Sequence, residues 1–150
     1  GWVVAAYVRV LEELPVDDPH RDVYIADFKA MCEALKNCQR TDGTWNCSLG
    51  DPDDFGGPEA TGTSLFLYGM AWGVRTGLLD AEVYKPIVAK GWNALNRICI
   101  HDNGFIGYSQ GSGKEPKEAQ PVTYDRIPDF EDFGTGCYLL AASEVAKLAE

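Results

Sequence analysis

Gly62-Thr63-Ser64-Leu65-Phe66-Leu67-Tyr68-Gly69-Met70-Ala71-Trp72-Gly73-Val74 runs without a single charged residue. The stretch reads as a buried helix rich in small residues, with Gly77 just past its end as the stop. Two more segments are of this kind. Gly1–Leu14 is almost wholly apolar, spreads its apolar positions over more than one helical face, and halts at Pro15. Gly134–Ser143 is again uncharged and continues as a helix to the C-terminus, with Glu144 and Lys147 expected on its wet side.

Between these lie helices of a different character. Asp18 is expected to cap one, with Pro19 at its first helical position. Tyr24, Phe28, Met31 and Leu35 then recur at steps of four, three and four among charged residues. Asp80 is expected to cap another, carrying Val83, Tyr84, Ile87, Val88, Trp92, Leu95 and Ile98. Pro86 should kink or divide that helix, because it removes a backbone donor. The order is thus apolar, amphipathic, apolar, amphipathic, apolar.

Part of this order repeats. An amphipathic helix, an Asp-Gly or Asp-Asn-Gly turn, a loop, and an uncharged helix occur as Val23–Val74 and again as Tyr84–Ala146. Hairpins of two helices that need neighbours to cover them build a solenoid or a closed ring, with the uncharged helices inside and the charged ones outside. The odd helix count leaves the first inner helix without an outer partner. A ring cut there exposes apolar faces at its open edge. The expectation is therefore an all-α chain of about five helices, either part of a larger toroid or a part that pairs with another chain.

Composition narrows the function. The chain has 150 residues, 45% of them hydrophobic, enough for one domain with one core. Thirteen basic residues against 23 acidic ones give a formal charge of −10, which repels phosphate backbones and argues against nucleic-acid binding. No apolar run is long enough to span a bilayer. The five cysteines form no CxxC pair, so free and mostly buried thiols are expected in place of a disulfide framework or zinc site.

In a ring of this kind, the loops that lead from outer to inner helices gather at one mouth. Asp42–Thr63 and Asn103–Gly136 are such loops, and they hold the aromatics Trp45, Phe55, Tyr108 and Phe133 together with most of the loop carboxylates. Aromatic platforms among polar groups suit a sugar; equally, Trp45 can plug the space beneath its loop. Glu59 precedes a helix in Gly57-Pro58-Glu59-Ala60-Thr61-Gly62-Thr63-Ser64, where Thr61 or Thr63 is placed to cap and the free N–H groups favour an anionic ligand. Read alone, Glu59 complements the helix dipole. Glu59 and Asp132 also form a candidate acid and base pair for glycoside hydrolysis.

Other motif matches fail. Asp51-Pro52-Asp53-Asp54 lacks the calcium-loop offsets and reads as a solvated acidic turn. Gly111-Ser112-Gly113-Lys114 lacks the first glycine of a phosphate loop. His20 and His101 fall in turns and read as surface residues. Asn46-Cys47-Ser48 satisfies the glycosylation triplet.

Taken in series, these motifs resemble one family. Gly1-Trp2-Val3-Val4-Ala5, Asp42-Gly43-Thr44-Trp45, Gly57-Pro58-Glu59-Ala60-Thr61-Gly62-Thr63, Tyr68-Gly69-Met70-Ala71-Trp72-Gly73, Gly77-Leu78-Leu79-Asp80 and Asp132-Phe133-Gly134-Thr135-Gly136 occur in order. They resemble the C-terminal half of the unsaturated rhamnogalacturonyl hydrolases, glycoside hydrolase family 105, which are close to the unsaturated glucuronyl hydrolases of family 88. The resemblance spans essentially all 150 residues. It implies an (α/α)6 barrel of which residues 1–150 are the C-terminal part of a single catalytic domain, the N-terminal part being missing.

The resemblance further implies release of a 4,5-unsaturated uronic acid from lyase-generated pectin oligosaccharides, with no metal or organic cofactor. The family's general acid and base is an aspartate just upstream of the Gly-Trp pair matched by Gly1-Trp2, so it lies outside this chain. Trp2, Trp45, Asn46, Glu59 and Thr61 would line the pocket. Asn46 stands where many relatives carry a basic residue or histidine.

The implied partner is an oligosaccharide ending in an unsaturated uronic acid, with no nucleic acid and no membrane; self-association through the open edge is the other partner expected. The rival reading is a non-catalytic helical-repeat module that binds carbohydrate or protein through the same bowl. A sugar epimerase is third and calls for histidines in the bowl, near which only His101 falls. Any signal peptide would precede Gly1, which leaves bacterial cytoplasm and periplasm both open.

Overall fold

The computed structural model describes residues 1–111, 115–126 and 133–149. Among these, five α-helices carry the fold: α1 (Trp2–Glu13), α2 (Arg21–Asn37), α3 (Ala60–Arg75), α4 (Ala81–Ala94) and α5 (Phe133–Ala149). A π-turn, Leu95–Cys99, extends α4, and a short 3-10 turn covers Pro116–Ala119. Extended pairing is limited to two isolated bridges, Trp45 with Glu59 and Ile100 with Ile106.

The uncharged helix α3 is the hub. Every residue from Thr63 to Val74 is buried, and α1, α2, α4 and α5 all pack on it. Its small residues let neighbours come close: a Cβ on Gly69 would collide with Val4 of α1. Phe28 of α2 meets Trp72 edge-on at 5.4 Å, while the Trp72 indole N–H donates to Glu12 of α1 at 3.2 Å. Burying side chains of this size contributes about 1.5–3 kcal/mol each. The helix ends in a Schellman turn. Leu78 N donates to Gly73 O (2.9 Å) and Gly77 N to Val74 O (3.1 Å), with Gly77 at φ +75°. On the far side, Trp92 of α4 stacks on Tyr138 of α5 with centroids 5.0 Å apart.

The inner and outer assignment holds, with four local corrections. α2 begins at Arg21, not Pro19: Asp18 accepts from His20 N at 2.8 Å in a turn ahead of the helix. Arg21 Nη1 then donates to Leu11 O (3.0 Å) and Leu14 O (2.6 Å), closing the C-terminus of α1. Pro86 does not divide α4. The carbonyl it leaves without an intrahelical donor belongs to Glu82, an exposed residue, so the lost bond falls on the wet side of the helix.

Glu144 is not on a wet face. It is 3% exposed and bonded to Arg75 (2.8 Å) and Lys147 (2.7 Å). Burial alone would raise its pKa, but these two cations outweigh it and hold the carboxyl below the usual glutamate value. Lastly, α1 and α5 are buried on one side only. Trp2 (59%), Val3 (55%) and Leu139 (59%) stand exposed, apolar residues on the two flanks of α3.

Candidate functional site

The inner helices all start at the same end, where the two long loops lie. Each loop opens with the same turn. In the first, Arg40 N donates to Thr44 O (2.9 Å), Gly43 N to Arg40 O (3.1 Å), and Thr44 N to Asp42 Oδ1 (2.9 Å). In the second, His101 N donates to Phe105 O (2.9 Å), Gly104 N to His101 O (2.8 Å), and Phe105 N to Asn103 Oδ1 (3.1 Å). Gly43 and Gly104 take φ +100° and +87°, a region open to glycine at no steric cost. Burial would raise Asp42, but the Thr44 hydroxyl and amide and the Arg40 guanidinium hold its carboxyl below the usual aspartate value.

The loops then join over the start of α3. Glu59 N donates to Trp45 O (2.9 Å) and Ala60 N to Tyr108 O (2.8 Å), so the α3 entry is clamped from both sides. Glu59 itself is the N-cap of α3, a role expected of Thr61 or Thr63. Its Oε1 accepts from Thr61 N (2.9 Å), Thr61 Oγ1 (2.6 Å) and Gln110 N (3.2 Å), and its Oε2 from Gly62 N (2.5 Å). A Cβ at position 62 would lie 2.7 Å from Oε2, so glycine is what lets the carboxylate fold back. The N–H groups expected to greet an anionic ligand are therefore already occupied by the chain's own carboxylate. All four bonds run toward the carboxylate, which suits a fixed anion and not a proton donor.

A cleft of about 500 Å³ opens beside this cap. Its polar wall holds Asn46, Glu59, Thr61 and Gln110; its apolar wall holds Trp2, Leu49, Phe66 and Phe133. Trp2 stacks on Phe133 with centroids 5.4 Å apart and planes 29° from parallel. Asn46 is buried, and its amide donates to Ser48 O and, at 3.5 Å, to Asp51 O. That bonding shapes the 48–51 turn and keeps the glycosylation triplet from being presented.

The cleft brings together Trp2, Asn46, Glu59 and Thr61 but not Trp45. Trp45 is 1% exposed: its indole N–H donates to Leu35 O (2.7 Å), its amide to Thr63 Oγ1 (2.9 Å), and its ring meets Phe66 edge-on at 5.6 Å. It is the plug beneath the loop, a pillar under the cleft floor. Phe55 and Tyr108 do not line the cleft either. Asp132, the other carboxylate of the acid and base pair, lies outside the described residues.

Sequence reasoning missed Gln110 and Cys47 as lining residues. Gln110 reaches the cleft because Tyr108 before it turns at φ +56°, a bend that no glycine announces. His101 is held against Tyr124, with ring centroids 3.6 Å apart and Nε2 2.9 Å from Tyr124 O, away from the cleft. All five cysteines are unpaired, and burial pushes the thiols of Cys32, Cys99 and Cys137 up to about 12, which keeps them unreactive.

Three inner and two outer helices, with an aromatic-walled cleft at the inner helices' starting end, define part of an α/α barrel of the kind that houses an active site at its mouth. Residues 1–149 match Glycosyl Hydrolase Family 88. The chain belongs to that family.

It is 38% identical over its full length to an unsaturated 3S-rhamnoglycuronyl hydrolase of Formosa agariphila, covering 38% of that protein. It is also 41% identical over 145 residues to one of Alteromonas sp. (strain LOR), covering 97% of this chain and 33% of that one. Among solved structures, a glycosyl hydrolase family 88 protein from Bacteroides vulgatus superposes with a TM-score of 0.90 at 41% identity, over 98% of this chain and 41% of the other. A possible member of family 105 from Klebsiella pneumoniae shares the fold, with a TM-score of 0.82 at 24% identity over 99% of this chain and 38% of that one. The chain thus spans a third to two-fifths of the length of the relatives it matches.

Proposed function

We propose that residues 1–150 are the C-terminal part of a single barrel domain that removes a 4,5-unsaturated uronic acid from lyase-generated rhamnogalacturonan oligosaccharides. The observation that carries this reading is a match to one hydrolase family over residues 1–149, coupled to a cleft lined both by the stacked Trp2–Phe133 pair and by Asn46, Glu59, Thr61 and Gln110. A stacked aromatic pair covers the apolar face of a sugar ring, and Asn46, Glu59 and Gln110 meet hydroxyls at its rim.

The chemistry is a hydration. A carboxylic acid protonates one carbon of the vinyl ether, water adds to the neighbouring ring carbon while the same carboxylate takes its proton, and the resulting hemiketal opens with loss of the glycosidic bond. Glu59, held by four donated bonds, binds and orients; the acid is the aspartate expected upstream of Gly1. The chain by itself is then inactive, and its exposed apolar edges on α1 and α5 draw it into self-association.

Activity is read as loss of the ultraviolet absorbance of the double bond, using an unsaturated galacturonyl-rhamnose disaccharide. Residues 1–150 alone should show none, while a gene product extended upstream should turn the substrate over, and an Asp→Asn change just before Gly1 should abolish that turnover. An extended protein that binds saturated pectin fragments without hydrolysing the unsaturated one would instead establish the binding-module reading. Sedimentation velocity of residues 1–150 tests the self-association; a monomer at all concentrations would refute it.

A further inference from the structure

Gln110 reaches the cleft wall on a backbone that does not hold itself there. Tyr108, two residues before it, sits at φ +56°, a left-handed conformation that an aromatic residue adopts only at a cost. Such strain persists where neighbours over-determine it. Tyr108 is gripped from two directions: its N–H donates to Thr123 O (3.0 Å), and its carbonyl accepts from Ala60 N (2.8 Å). Ala60 is fixed by α3, but Thr123 has no such support. None of residues 121–126 is buried, and they form no helix or strand, so neither a core nor a ladder fixes that segment.

His101 supplies the anchor. Its imidazole lies on the Tyr124 ring, with centroids 3.6 Å apart and planes 11° from parallel, and its Nε2 is 2.9 Å from Tyr124 O. A carbonyl only accepts, so Nε2 carries the proton. The Tyr124 hydroxyl donates back to Ile100 O at 3.2 Å, and Phe105 meets the imidazole edge-on at 5.0 Å. A Cβ on Gly107 would collide with Tyr124 O and come within 3.1 Å of Nε2, so glycine admits the close approach. The turn holds His101 itself, through its N–H to Phe105 O and its carbonyl from Gly104 N. In the first repeat Arg40 occupies this place and folds back on Asp42 at 3.1 Å. With Asn103 where that carboxylate would be, the second turn leaves its side chain to reach across to residue 124.

We propose that His101, which lines no part of the cleft, is a positioning residue for it. By docking Tyr124 it places Thr123 O under Tyr108 N. That contact keeps Tyr108 left-handed, and so sets the Gln110 amide on Glu59 and the Tyr108 carbonyl on the start of α3. This role does not depend on which ligand the cleft takes.

Amide hydrogen exchange on ¹⁵N-labelled residues 1–150 tests it. His101→Ala should speed exchange at Tyr108 and Gln110 about ten-fold or more, while the Leu67 and Val88 amides stay within about two-fold of wild type. His101→Gln restores an N–H donor of similar reach and should return Tyr108 to within about three-fold of wild type. A long-range ¹H–¹⁵N spectrum of the wild-type imidazoles should place the His101 proton on Nε2.

Acceleration that extends equally to Leu67 and Val88 would mark His101 as a general stability residue and overturn the proposal. Unchanged exchange at Tyr108 and Gln110, or a Gln variant no better than Ala, overturns it too. A proton on Nδ1 alone overturns it whether or not any variant folds. These outcomes leave the hydrolase reading untouched, because that reading fails only through the turnover assay above.

Discussion

The segments Val23–Val74 and Tyr84–Ala146 share a helix, a turn bonded in the same pattern, a loop and an uncharged helix, yet they end in different states. In the first, α3 is buried on all sides. In the second, α5 has a comparable apolar run and leaves Leu139 and Leu140 in solvent. Composition selects a helix for the inside; burial comes from how many neighbours it has. α3 is flanked by α1 and α5, whereas α5 meets α3 on one flank, and an outer helix cannot substitute for a missing inner one.

The turns differ in the same way. Trp45 follows the first and is sealed under the cleft; Ile106 occupies the equivalent place after the second, smaller and without a polar tether. Trp45→Ala should therefore cost about 3–5 kcal/mol in urea unfolding, and Ile106→Val only about 0.5–1.5 kcal/mol. Equal losses would mean that the two loops are anchored alike, against the contrast drawn here.

The glycines sharpen it. Gly43 and Gly104 share a positive φ, but a Cβ on Gly43 would sit 2.7 Å from Lys90 O, while one on Gly104 meets nothing within 4 Å. Gly104→Ala should cost about 1–2 kcal/mol from backbone strain alone. Gly43→Ala should cost clearly more, as α4 has to move. A thermal-melt series on both variants decides this.

Acid sensitivity separates the elements further. Glu144 has a folded pKa below its ordinary value of 4.5, so its contribution is full above that pH and is lost as pH falls through the folded value. Glu144→Gln should lower stability at pH 7 by about 1–2 kcal/mol, since both cationic partners remain partly solvated. It should also flatten the decline expected below pH 4.5, as acid-unfolding curves of the two proteins would record.

The smallest effect is expected from Asp42→Asn, which converts the first turn into the second by copying Asn103. The loss should be about 0.5–1 kcal/mol at pH 7, because the Arg40 pair is removed and the Asx bond to Thr44 N is kept. The Asp42 contribution is likewise full above its ordinary 3.8 and is lost as pH falls through the lower folded value, so wild type and variant should converge only below that folded value.

Helix order and the inner and outer alternation were legible because uncharged runs and charged amphipathic runs differ in composition over a dozen residues at a time. The placement of Trp2, Asn46, Glu59 and Thr61 came through a family resemblance, not through spacing. What stayed hidden depends on contacts distant in sequence. Glu144 looks like a surface charge until Arg75, 69 residues earlier, is brought to it. Trp45 reads equally as a sugar platform and as a plug until its indole finds Leu35 O. Gln110 is an ordinary polar residue until the turn at Tyr108 aims its backbone at Glu59.

The Ala60–Tyr108 and Gln110–Glu59 bonds tie the two repeats into one mechanical unit. One repeat donates the cap and the other the lip that closes on it, so neither hairpin possesses the cleft alone. Separating the two hairpins would therefore remove the cap contacts and a wall of the cleft together, so cleft and fold open as one.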